Sequence, residues 1–118
     1  MMDFCNYKGL EFSAPGNIRE VQELLFKKHI HYIMKRSVYY RRTLRGLEAE
    51  EITLDALSSL PFTDKSAFES CNEELLAVPM SEVRDIVLSS GTTGKPTRIM
   101  YTENDLTRLA YNEEISFA

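Results

Sequence analysis

Cysteine and long apolar runs are scarce in this 118-residue sequence, and positive charge is outnumbered. Cys5 and Cys71 lie far apart and lack C-x-x-C spacing, which fits reduced, unpaired thiols better than a disulfide framework or a zinc site. The longest unbroken apolar run is Leu75-Leu76-Ala77-Val78, far short of the roughly 20 residues that a membrane helix needs. No apolar stretch follows a basic start in the first residues, so a secretory signal is not expected and a cytoplasmic location is the default. A formal net charge of -4 makes the whole surface a poor match for a nucleic-acid backbone. What remains, 43% hydrophobic and 27% charged, is the composition of an ordinary folded domain, and the length allows one at most.

The charge is unevenly placed. Lys27, Lys28, Lys35, Arg36, Arg41, Arg42 and Arg45 occur with no acid among them, whereas residues 48–85 are strongly acidic. A solvated or internally paired helix face is the better reading of the basic run, because core-like Ile30, Ile33 and Met34 interleave it. His29 and His31 sit nearly opposite each other on a helix and cannot jointly grip one metal. Cys71 has no activating neighbour in sequence and reads as inert.

Residues 1–16 read as an irregular lead-in. Helical periodicity then begins at Asn17, a candidate N-cap, and is expected to continue to about Arg42, before Gly46. Short helical turns are expected over 53–60 and after Thr63 or Asp64, with Leu57, Leu60, Pro61 and Phe62 as a small apolar anchor. Two strands are expected at 85–89 and 98–102, and a capping-box helix starts at Thr102-Glu103-Asn104-Asp105. The sequence stops at Ile115-Ser116-Phe117-Ala118 with nothing to close that helix. The expected fold class is therefore α/β: a helical segment followed by strand, loop, strand and helix, an incomplete part of a larger layer.

The chemistry lies between the two strands, in Ser89-Ser90-Gly91-Thr92-Thr93-Gly94-Lys95-Pro96-Thr97. Glycines allow backbone N–H groups to turn toward an anion without a Cβ in the way. Hydroxyls at Ser89, Ser90, Thr92 and Thr93 can donate to phosphate oxygens, and Lys95 adds a compact cation. This is not a Walker A loop: only Thr92 and Thr93 separate its glycines, and Pro96 follows the lysine. Pro96 disfavours a helix here, so the helix-dipole route to phosphate binding is closed.

The loop resembles the phosphate-binding loop of the AMP-forming adenylating enzymes. More narrowly, Val38-Tyr39-Tyr40-Arg41-Arg42, Leu60-Pro61-Phe62-Thr63-Asp64-Lys65, Ala77-Val78-Pro79, the loop and Tyr101-Thr102-Glu103-Asn104-Asp105-Leu106 resemble, in order and spacing, the phenylacetate-coenzyme A ligase family. The resemblance implies that residues 1–118 form part of the N-terminal domain of such a ligase. It further implies that Ser89, Ser90, Gly91, Thr92, Thr93, Gly94 and Lys95 hold the β- and γ-phosphates of ATP, with Mg²⁺ and coenzyme A as the other cofactors and an aryl carboxylic acid as substrate. The family's adenine, metal and acid-substrate residues and its catalytic lid lysine lie beyond the loop, so no catalytic residue is assigned here. The chain by itself is expected to be inactive. The alternative is a non-catalytic interaction module on the same scaffold, pairing with a second copy through open strand edges.

Overall fold

The computed structural model describes residues 7–90 and 94–117. Helix α1 (Pro15–Arg36) starts two residues before the expected Asn17. Pro15 occupies the first turn, where its missing N–H leaves no bond unmade, and Ala14 supplies no side-chain cap. The expected single helix to Arg42 is in fact two. Ser37 leaves helical backbone at φ -91° and ψ 128°, and its side chain caps α2 (Val38–Thr43) by accepting from the Tyr40 amide. The hydrophobic period runs through the break unchanged, which is why periodicity alone misses it. Gly46, at φ 89°, turns the chain away just past α2.

Ile30, Ile33, Leu44 and Ile52 form the core, with Phe26, Met34, Tyr40 and Leu60 packed against it. The cations at Lys28, Lys35, Arg36, Arg41, Arg42 and Arg45 stay exposed. The acidic stretch docks on this helical layer through contacts between distant parts of the chain. Glu23 accepts from the Leu54 amide at the start of a 3₁₀ turn (Leu54–Ser59), and Arg19 pairs with Asp55 at 2.7 Å. Of the expected apolar anchor only Leu60 packs on the core. Phe62 is 95% exposed and Leu57 52%, so that expectation is corrected. Asp64 caps α3 (Lys65–Ser70) by accepting from the Ala67 amide, and a second 3₁₀ turn (Asn72–Leu75) follows.

Strand β1 (Val83–Leu88) pairs antiparallel with β2 (Arg98–Thr102), with Leu88 opposite Arg98 and an irregularity between Val83 and Asp85. The fold is thus mixed helix and a two-stranded sheet. Helix α4 (Glu103–Ser116) opens with the expected capping box, Thr102 accepting from the Asp105 amide and Asp105 from the Thr102 amide. The lead-in is less free than its sequence suggests. Tyr111 of α4 accepts from the Gly9 amide at 2.9 Å and donates to the Glu11 carboxylate at 2.6 Å.

That donated bond holds the Glu11 carboxyl below its usual value and the Tyr111 hydroxyl above its own. A depressed carboxyl stabilises docking above its unfolded pKa, and this contribution is lost as pH falls through the folded value. A raised hydroxyl stabilises docking below its unfolded pKa, and that contribution is lost as pH rises through the folded value. Protection of the Gly9 amide from hydrogen exchange should therefore be greatest between about pH 5 and 10. Tyr111→Phe should reduce it across that window.

Several apolar side chains are only partly covered among the described residues. Ile86, Val87 and Leu88 are 47%, 43% and 60% exposed, although three consecutive apolar residues suit a strand covered on both faces. An open trough lined by Leu25, Leu76, Met100 and Ile115 adds to this. The surface is 8640 Å², against about 6,600 Å² for a folded monomer of this mass. The radius of gyration is 15.9 Å, against about 13.5 Å for a compact domain of this length. No helix among the described residues is long and apolar enough to cross a membrane.

Candidate phosphate-binding loop

The hairpin ladder ends at Leu88 and Arg98, and one further residue pair closes the neck of the loop. The Ser89 amide donates to the Thr97 carbonyl at 2.9 Å, while the Thr97 amide donates to Ser89 Oγ at 3.2 Å. Ser89, expected as a phosphate ligand, thus helps to form the frame, and its own O–H remains a donor. Thr97 is 7% exposed at the exit. Beyond the neck, Ser90, Gly94, Lys95 and Pro96 are all exposed. Gly91, Thr92 and Thr93 lie outside the described residues.

Gly94 is informative because the fold does not require it. Among the described residues its φ is not positive, and a Cβ built there meets none of their atoms within 4 Å. An alanine would fit the chain as it stands. A glycine unneeded by backbone or packing is consistent with close approach by something outside the chain. Lys95 is exposed and joins no ion pair among the described residues. A cation beside hydroxyl and amide donors suits an anion of several oxygens.

Sequence reasoning missed three residues around this neck: Asn72, Glu73 and Arg98. Asn72 Nδ2 donates to the Arg98 carbonyl at 2.9 Å, and Glu73 Oε1 lies 3.5 Å from Arg98 Nη2. No local pattern signals a contact across this span of chain. The fold also gives Cys71 a neighbour that sequence did not: Arg42 Nη2 is 4.0 Å from its Sγ and pairs with Glu74 at 2.8 Å. The Glu74 hydrogen bond raises the Arg42 pKa further, so the guanidinium stays charged. Tyr39 and Tyr40 pack edge to face at 5.2 Å, and Tyr40 Oη meets Thr63 Oγ1 at 2.9 Å, in keeping with a packing role. Among the described residues no group of three His, Cys, Asp or Glu side chains converges as a metal site.

Known proteins resemble this chain over most of its length. A phenylacetate-coenzyme A ligase of Thermus thermophilus is 40% identical over 101 residues, which is 82% of this chain and 23% of the relative. One from Escherichia coli is 31% identical over 101 residues, with the same shares. One from Pseudomonas putida is 41% identical over 63 residues, 52% of this chain and 14% of the relative. The chain therefore spans less than a quarter of the length of the relatives it matches. No protein-family model matches it.

Proposed function

The chain belongs to the phenylacetate-coenzyme A ligase family, and from that premise we propose that residues 89–97 hold the β- and γ-phosphates of ATP while an aryl carboxylic acid is adenylated. The observation that carries this reading is the neck itself. Reciprocal Ser89–Thr97 bonds frame a hairpin end on which Ser90, Gly94 and Lys95 are exposed, with no packing contact that a Gly94 Cβ would meet among the described residues.

In this reading a carboxylate oxygen attacks the α-phosphorus, the bond from that phosphorus to the bridging oxygen breaks, and pyrophosphate departs. Coenzyme A then attacks the acyl carbon through sulfur, losing its thiol proton, and AMP leaves with the bonding pair. The loop's work is confined to the first half. Donors from hydroxyls and amides, with the Lys95 charge, hold the pyrophosphate oxygens as negative charge builds on them. Such positioning and charge stabilisation supply much of phosphate-transfer catalysis. Mg²⁺ in this reading accompanies the polyphosphate, as it does where one or two carboxylates and the substrate's phosphates share the ion.

Magnitudes predict that the loop alone grips weakly. Ordering each loop residue costs about 1 to 2 kcal/mol, whereas a charge-assisted hydrogen bond returns about 1.5 to 3 kcal/mol. A few phosphate contacts without adenine or ribose contacts would exceed that cost only slightly. The isolated chain should show no turnover and an ATP affinity no tighter than about 1 mM. The experiment is carboxylate-dependent exchange of labelled pyrophosphate into ATP by a ligase polypeptide carrying this segment, across aryl and alkyl acids. Exchange with aryl acids is the expected result. Its absence with every acid would remove the proposal, and micromolar ATP binding by the chain alone would remove the energetic argument.

The exposed apolar run of β1 favours a second reading, an interaction module that pairs with a second copy along its open edges. It requires a concentration-dependent dimer in sedimentation equilibrium. A monomer at 100-micromolar-order loading, about ten times a typical working concentration, would exclude it.

A further inference from the structure

The exit of the loop is held from outside the hairpin. The turn Asn72–Leu75 places two side chains on one residue of β2. Asn72 Nδ2 donates to the Arg98 carbonyl at 2.9 Å, and Glu73 Oε1 faces the Arg98 guanidinium at 3.5 Å. Arg98 is where the ladder begins, opposite Leu88, and immediately follows Thr97, whose backbone closes the neck with Ser89. With only two strands, this sheet has no third strand to fix β2, so a strut from a separate turn decides where the chain leaves the loop.

Two polar atoms at the same place are buried without a hydrogen-bond partner among the described residues: Asn72 Oδ1 and Thr97 Oγ1. An unpaired buried polar atom costs more than an ordinary hydrogen bond returns, and native structures seldom hold two so close in the fold.

We propose that Asn72, assisted by Glu73, is a positioning residue for polyphosphate: by holding Arg98 it sets the exit from which Lys95 meets the anion. The inference rests on the phosphate-binding reading and extends it to a residue that touches no phosphate. Asn72 carries most of the effect, because it bonds the backbone of β2 at 2.9 Å, whereas the Glu73–Arg98 contact joins two exposed side chains at 3.5 Å and such pairs contribute little.

The test uses the whole chain, amide hydrogen exchange by NMR, and magnesium pyrophosphate as the probe. Asn72→Asp keeps the shape and the oxygen but removes the donor; Asn72→Ala removes both. Each should speed exchange of the Thr97 amide by about tenfold and raise the half-saturating pyrophosphate concentration at Ser90 and Lys95 by threefold or more, corresponding to small losses of the kind one hydrogen bond carries. Glu73→Gln, which keeps an acceptor for Arg98, should stay within twofold of the unaltered chain. The Ile30 and Ile33 amides of α1 report global stability, and their unchanged protection separates a local strut from general unfolding. Unchanged Thr97 exchange in Asn72→Asp overturns the positioning role, as does unchanged pyrophosphate saturation in a chain that otherwise binds it. No pyrophosphate response in the unaltered chain overturns the phosphate-binding reading instead, and the inference falls with it.

Discussion

Replacing Gly94 by alanine should separate stability from function in opposite directions. The backbone there is not left-handed and a Cβ meets open space, so the folded state accepts the methyl group. The unfolded chain loses freedom, and stability should stay level or rise by about 0.4 to 1 kcal/mol. If the polyphosphate approaches the backbone at this point, the same methyl group displaces it. A displacement on the order of 1 Å can cost about a hundredfold in rate. Pyrophosphate exchange by a ligase polypeptide carrying Gly94→Ala should thus fall roughly tenfold to a hundredfold while its melting temperature holds or rises. Lys95→Ala should reduce exchange by about a hundredfold, again without loss of stability, since an exposed cation is removed from the place where charge develops. Equal activity in both variants, measured beside their melting curves, would leave the loop without a function.

The second large effect lies in the fold. Ser37 is fully buried, donates to the Glu74 carbonyl at 2.8 Å and accepts from the Tyr40 amide at 3.3 Å. It therefore starts α2 and ties the helical layer to the turn Asn72–Leu75 with one hydroxyl. Ser37→Ala loses an N-cap, about 1 kcal/mol, and leaves a partly buried carbonyl unpaired, about 1 to 3 kcal/mol more. The two losses share an atom and do not simply add, so about 2 to 3 kcal/mol is expected. For a chain with so small a core this corresponds to a fall of roughly 10 °C in melting temperature. Ser90→Ala, at an exposed position, should stay within about 0.5 kcal/mol. Thermal unfolding by circular dichroism distinguishes the pair, and similar values for both would show that the Ser37 hydroxyl is not what joins the layers.

Ser37 also shows where the sequence stops being readable. A capping residue in the middle of an unbroken hydrophobic period looks like a helix residue, because the signal for the break is the Glu74 carbonyl on another element. Signals contained within a few residues were legible: the bounds of β2, the capping box at Thr102, the Asp64 cap and the composition of the loop. Pro15 is a readable helix start two residues ahead of Asn17, since proline suits the first turn. Phe62 illustrates the opposite error. Its apolar character suggested burial, yet no described element covers it, and hydrophobicity alone cannot say what partner supplies the cover. The candidate site divides in the same way. The hydroxyls, glycines and lysine that suggest an anion ligand lie within a few residues and are readable in the sequence, whereas Asn72, Glu73 and the Ser89–Thr97 neck depend on pairing and packing that only the fold reveals.

The exposed apolar surface gives the family assignment physical content. The chain shows roughly 2,000 Å² more surface than a folded monomer of its mass, within the range that permanent interfaces bury. In our reading that area is what the rest of a ligase fold covers, and the family relatives are more than four times the length of the stretch they share with this chain.

The most direct measurement is an NMR titration of the chain with magnesium pyrophosphate, followed residue by residue. The account predicts shifts confined to the neck and loop, at Ser89, Ser90, Gly94, Lys95 and Thr97, half-saturating at about 1 mM or above and abolished by Lys95→Ala. Shifts that spare those residues, or a loop that stays unmoved at saturating pyrophosphate, would contradict it.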